Sequence, residues 1–134
     1  MTSPPPVTFN LNLNGTQIID SPGYPNEYYP NGANVVWIFT SDETGAYRIT
    51  FISFALESYY DFLYIGDGSE SSPESIRYEL SGNQNTPIII ASSDMWLRFQ
   101  SDSSVTRAGF RLAVTLIGKD VYINPVMSYT TRQA

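Results

Sequence analysis

The stretch LESYYDFLYIGDG, Leu56 to Gly68, plants two carboxylates, Glu57 and Asp61, at the mouth of an apolar run. In a straight strand alternate residues share a face, which would set both acids on the buried side beside Leu63 and Ile65. Unpaired carboxylates there are costly by several kcal/mol. At a rise of about 3.3 Å per residue they would also stand about 13 Å apart, too far to share one partner. The chain is therefore expected to bend. With Ser58, Tyr59 and Tyr60 in a turn, Glu57 closes one strand, Asp61 opens the next, and their oxygens converge on a single positive object.

Outward from this stretch the chain reads as short strands. Tyr47, Ile49 and Phe51 alternate with Arg48 and Thr50, and Met95, Leu97 and Phe99 with Trp96, Arg98 and Gln100. Phe110, Leu112, Val114 and Leu116 alternate in the same way with Arg111, Ala113 and Thr115, the period-2 mark of half-buried strands. Val35–Phe39, Phe62–Ile65 and Ile88–Ile90 are continuous apolar runs, which predict central strands buried on both faces. Breakers separate them, including Ser21-Pro22-Gly23, Asn31-Gly32, Gly66-Asp67-Gly68 and Ser71-Ser72-Pro73. Helical periodicity free of breakers is absent. The expected fold is all-β, an antiparallel β-sandwich of jelly-roll type. Residues 1–9, rich in proline, are expected to be a flexible lead-in, 10–117 the domain, and 118–134 a tail or an additional edge strand.

Composition narrows the chemistry. A chain of 134 residues suits one domain with its own core, and a hydrophobic fraction of 42% argues against disorder. No apolar run approaches the ~20 residues of a membrane span, and Met1–Pro6 has neither the basic nor the apolar region of a signal peptide, so a soluble, excised domain is expected. Thirteen acids against seven bases give a net charge of -6 with a single lysine, Lys119, which excludes a basic surface for nucleic acid. The absence of His and Cys removes Ser-His and Cys-His nucleophiles, thiolate redox chemistry and the usual zinc and copper ligands. Oxygen chemistry remains: carboxylates, amides, hydroxyls and ten tyrosines. Asn14-Gly15-Thr16 is a glycosylation acceptor pattern, with Asn14 the candidate residue, although Asn-Gly between alternating segments reads first as a hairpin turn.

Several stretches then line up in order with one family. Ser21-Pro-Gly-Tyr-Pro-Asn-Glu-Tyr-Tyr-Pro30, Trp37 in a strand, Leu56-Glu57 ahead of Tyr60-Asp61 and the run to Gly68, Leu97 to Asp102, and Gly109-Phe110 together resemble a CUB domain over roughly residues 10 to 117. The resemblance implies an extracellular sandwich that acts as a protein-interaction module and is not itself an enzyme. Its calcium-binding members imply one Ca²⁺ on Glu57, Asp61 and Asp102, with the Ser104 carbonyl as a further ligand and Tyr29 supporting the site. Three carboxylates, carbonyls and water suit a cation that takes six to eight oxygens. The cysteines depart from the family: Ser58 and Ser81 stand where one pair is usual, and Val35 where a first-pair cysteine is common. Losing a disulfide typically costs a small domain about 2 to 5 kcal/mol, which the aromatics or the metal must offset. The missing cysteines weaken the inference of a secreted origin.

Two functions follow. The first is a calcium-dependent recognition or adhesion module whose acids accept a Lys or Arg of a partner protein, with Tyr24, Tyr28, Tyr29, Tyr59 and Tyr60 forming an aromatic surface beside the metal loops. The second is a carbohydrate-binding module in which tyrosines stack on a glycan and calcium is structural. An acid/base pair of a glycosidase would use the same Glu57 and Asp61, but nothing else in the chain suggests catalytic machinery. Asp67 and Asp94 read as turn residues, and Trp37 and Trp96 as residues of the core or a sheet face.

Overall fold

Apolar residues spaced two apart select extended backbone, because only a pleated strand sends every second side chain to one face. The computed structural model describes residues 4–118. Among these are nine strands: β1 (Val7–Asn10), β2 (Thr16–Asp20), β3 (Asn34–Thr40), β4 (Gly45–Ala55), β5 (Phe62–Asp67), β6 (Ile76–Leu80), β7 (Ile88–Ile90), β8 (Met95–Gln100) and β9 (Gly109–Gly118). They form a five-stranded sheet in the order β1-β3-β8-β5-β6 and a four-stranded sheet in the order β2-β9-β4-β7. Pairing is antiparallel except between β1 and β3. The result is the expected β-sandwich.

The core lies between the inner faces. Trp37, Phe39, Leu63, Ile65, Leu97 and Phe99 from the first sheet meet Tyr47, Ile49, Leu112, Val114 and Leu116 from the second. Phe110 on β9 ties the two together, with ring centroids 6.0 Å from Trp37, 5.4 Å from Phe99 and 5.7 Å from Phe54. Such aromatic pairs add about 0.5–1.5 kcal/mol each beyond their buried area, in a core that holds no cysteine.

Four expectations are corrected. The continuous apolar runs are buried on one face only: Val36, Ile38, Phe62 and Tyr64 are half-buried on the outer face of the five-stranded sheet, and Ile88–Ile90 is the edge strand β7, with Ile89 43% exposed. In a two-layer sandwich with no covering helices each sheet has a single inner face, so continuous hydrophobicity does not signal double burial. Val7–Phe9, placed in the lead-in, pair in parallel with Trp37–Phe39 of β3. Asn14-Gly15 does turn the chain, with Asn14 at φ 68 and the Gly15 N–H on the Asn12 carbonyl at 2.8 Å. It joins strands of different sheets, however, and is not a hairpin. Finally, Gly118 belongs to β9, and the remainder of the tail, 119–134, lies outside the described residues.

Candidate metal centre

Three connections meet at one end of the sandwich: residues 21–33 between β2 and β3, 56–61 between β4 and β5, and 101–108 between β8 and β9. The β4–β5 connection makes the inferred bend. The Glu57 carbonyl accepts the N–H groups of Tyr60 at 3.4 Å and Asp61 at 3.1 Å, and Tyr59 takes the left-handed conformation at φ 70. That conformation is unfavourable for a bulky residue. It is held by Ser81 at the end of β6, whose Oγ accepts the Tyr59 N–H at 2.8 Å and turns its proton toward the carbonyls of Glu57 at 3.0 Å and Asp61 at 2.8 Å.

Tyr29 organises the acids from beneath. Its hydroxyl donates to Asp61 Oδ2 at 2.6 Å and accepts the Glu57 N–H at 3.0 Å, while its ring meets Phe99 edge-on at 4.9 Å. Burial first, and Asp61 second, push the phenol well above the usual tyrosine range, so it remains a donor. Asp61 is fully buried, and its other oxygen accepts the Asp102 N–H at 2.8 Å. Asp102 is fixed in turn by the Gly32 N–H on its carbonyl at 2.7 Å and the Ser104 N–H on Oδ1 at 3.2 Å. The backbone of one loop therefore addresses the side chain of another.

The outcome is a convergence of Glu57, Asp61 and Asp102, each offering a carboxylate oxygen within 4.8 Å of the others. Glu57 Oε1 is buried and has no hydrogen-bond partner among the described residues. Burial, then the charges of Asp102 and Asp61, hold the Glu57 carboxyl above the usual carboxylate range, with Arg107 opposing. Oxygens each about 2.4 Å from one Ca²⁺ lie at most about 4.8 Å apart, so the donor set fits a single hard cation in both chemistry and spacing. When bound, such an ion supplies the positive charge that these acids lack. Nothing in the set offers the nitrogen or sulfur that zinc or copper prefers.

The remaining sequence-selected residues divide. Tyr28, next to Tyr29 in the chain, and Tyr59 and Tyr60, between Glu57 and Asp61, are exposed at 63%, 84% and 63%, and Tyr60 lines a hollow together with Asp102. Tyr29, also expected on the partner-facing surface, is 1% exposed, because its hydroxyl is committed to Asp61 and Glu57. Tyr24 is half-buried, bonded to the Ser53 hydroxyl and covered by the Arg111 guanidinium 5.2 Å from its ring centroid. Asn14 is exposed on its turn, and Ser104 is exposed beside Asp102. Trp37 is a core residue; Trp96 packs on the opposite face of its sheet with Nε1 donating to Ser75 Oγ at 2.9 Å. Asp67 pairs with Arg77 at 2.6 Å. The Ser81 clamp was not foreseen: the resemblance marked the position only as a missing cysteine, and no local pattern reveals a hydroxyl aimed at residues twenty or more positions away.

Residues 10–114 match the family model of the CUB domain, and the chain belongs to that family. It is 38% identical over 112 residues to the dorsal-ventral patterning protein tolloid of Drosophila melanogaster, covering 80% of this chain and 10% of that protein. It is 37% identical over 97 residues to human tolloid-like protein 1, covering 69% of this chain and 9% of the relative. The chain thus spans about a tenth of the length of these relatives. Among solved structures, the CUB1-EGF-CUB2 domains of rat MASP-1 superpose with a TM-score of 0.73 at 23% identity, covering 88% of this chain and 45% of that one. The MASP-1 CUB2 domain bound to Ca²⁺ does so with a TM-score of 0.66 at 25% identity, covering 85% and 99%. CUB domains are non-catalytic protein-interaction modules of extracellular proteins. No helix among the described residues is long and apolar enough to cross a membrane.

Proposed function

We propose that this chain is a calcium-dependent protein-recognition module. Glu57, Asp61 and Asp102, with the Ser104 carbonyl, hold Ca²⁺ and so order the connections that carry them, and the part-exposed Glu57 and Asp102 accept a Lys or Arg of an extracellular protein partner. The observation that carries this reading is the buried, unpartnered Glu57 Oε1 within reach of two further carboxylates. A cluster of like charges is unfavourable by itself and becomes stabilising around a cation. The calcium-bound MASP-1 CUB2 domain supports it.

A thermal melt in excess Ca²⁺ against EDTA tests the metal. A ligand at a hundred times its Kd stabilises the folded state by about 2.7 kcal/mol, or about 10 °C for a domain of this size. The rise is expected in the wild type and absent in Asp102→Ala and Asp61→Ala, and the same variants lose the partner. No rise in the wild type would overturn the calcium reading. The exposed Tyr28, Tyr59 and Tyr60 favour a second reading, a carbohydrate-binding platform with structural calcium, which a glycan array separates from the first. In a secreted protein Asn14, exposed on its turn, is open to glycosylation, and the mass of the chain after passage through a secretory pathway tests it.

A further inference from the structure

The outer face of the five-stranded sheet carries two adjoining hollows. One, of ≈ 410 Å³, runs from Asp102 and Tyr60 across Phe62 to Tyr64 and Gln100. The other, of ≈ 270 Å³, continues from Tyr64 and Gln100 to Arg98, Trp96 and the Ser71-Ser72 loop. Sharing Tyr64 and Gln100, they form one groove that begins at Asp102 and follows β8. Register explains its lining: Phe62 lies opposite Gln100 and Tyr64 opposite Arg98, so all four point to the same outer face. Phe62 and Tyr64 stack with centroids 5.7 Å apart and make a flat aromatic wall.

The charges of the groove are separated along its length. At one end stands Asp102 of the metal site. At the other, Arg98 donates through Nε to Asn34 Oδ1 at 3.0 Å and through Nη1 to Ser71 Oγ at 3.3 Å, and forms no ion pair among the described residues. Neutral oxygens orient this guanidinium, and no carboxylate among the described residues is in contact with it. Glu79 lines the same hollow from β6, with Tyr64 between it and Arg98, so attraction for an anion is confined to the Arg98 side.

We propose that the groove binds an extended peptide segment of a protein partner that carries a basic and an acidic residue four positions apart. The basic residue sits at the calcium-site acids and the acidic one pairs with Arg98. The spacing follows from β8 and the two residues beyond it: Arg98 lies in the strand and Asp102 four positions on, in the connection that leaves it, a span of at most about 13 Å at 3.3 Å per residue, and an extended ligand lying along the strand covers it in four residues. Even spacing returns both ligand side chains to the face that meets the groove, and the residue midway between them, on that same face, lies on Phe62 and Tyr64. The basic end of this assignment rests on the proposed function; the acidic end does not.

Capped biotinylated peptides displayed multivalently on a sensor surface, with the full 134-residue chain as analyte in Ca²⁺, test it. The peptides carry Lys and Glu four apart in either order, the same with Gln for Glu, the same with a second Lys for Glu, and Lys and Glu only two apart. One order of the four-apart peptide is expected to bind about tenfold tighter than its Gln counterpart, the scale of a close interfacial charge pair. Arg98→Gln is expected to erase that preference without changing the Ca²⁺ response of the melt, and Arg98→Glu to transfer it to the peptide with two lysines. Equal binding of the Glu and Gln peptides, a preference that survives Arg98→Gln, or no binding by any peptide overturns the proposal. So does capture of a glycan through Arg98 with no peptide preference. If every Lys peptide binds in a Ca²⁺-dependent way whatever its second residue, the groove falls and the proposed function stands. If the Glu preference persists while neither EDTA nor Asp102→Ala affects binding, the proposed function falls and the Arg98 contact stands.

Discussion

Tyr29→Phe removes one oxygen and almost nothing else, which makes it the sharpest probe of how the site is built. The phenyl ring keeps its edge-on contact with Phe99, so the loss is confined to two hydrogen bonds. The bond to the Asp61 carboxylate at 2.6 Å is charge-assisted and contributes about 1.5–3 kcal/mol, and the Glu57 N–H left without its acceptor adds about 1 kcal/mol. The sum is about 3 kcal/mol, a large share of the roughly 6–15 kcal/mol expected for a domain of this length. In EDTA the midpoint of thermal unfolding should fall by about 10 °C. Urea unfolding of Tyr29→Phe, Asp61→Asn and the double variant closes a thermodynamic cycle. Because both residues act through one contact, the coupling should exceed about 1 kcal/mol. A loss below about 0.5 kcal/mol, or strict additivity, would refute the claim that the phenol organises the acids. The same change should weaken Ca²⁺ binding about 10- to 100-fold, as expected when a group orienting a metal ligand is lost.

Other perturbations have equally definite outcomes. Gly66→Ala would drive a methyl into the Trp96 indole, and because Nε1 is bonded to Ser75 the ring cannot move freely; a loss of about 1–3 kcal/mol is expected in chemical denaturation, and wild-type stability would contradict it. Tyr47, buried with its hydroxyl on the Ser93 carbonyl at 2.9 Å, has its pKa pushed up to about 12 by burial and then by Asp94. The folded state thus favours the neutral phenol, so stability is complete below pH ~10, the unfolded value, and declines by roughly 2–3 kcal/mol as pH rises toward ~12. Tyr47→Phe should flatten that alkaline decline, and an unchanged slope would count against it. Ser81→Ala deprives the Tyr59 N–H and two carbonyls of their common partner; it should lower stability by about 1–2 kcal/mol and weaken the Ca²⁺-dependent rise in melting temperature, whereas Ala at the exposed Ser58 should leave both nearly unchanged.

The bend at Ser58–Tyr60 was legible because the conflict that forces it is local: two acids cannot share the inner face with Leu63 and Ile65, and the chain has nowhere else to turn. Alternation around Tyr47, Leu97 and Leu112 likewise declares its inner face within each strand. Continuous runs such as Ile88–Ile90 carry no alternation, so their single buried face was misjudged. Asp102 was linked to Glu57 and Asp61 by family resemblance alone, since 41 positions separate its N–H from the Asp61 side chain it binds.

Extended backbone, the inward faces of most strands and the oxygen-only chemistry follow from residue identity and period, properties that each short segment possesses before it meets another. Which sheet each strand joins, the burial of Tyr29 beneath the acids, the Ser81 clamp and the groove from Asp102 to Arg98 depend on loops and strands meeting across the sandwich. Those contacts are non-local. Their energy appears only when both partners are held by the same core, so only the tertiary structure decides them.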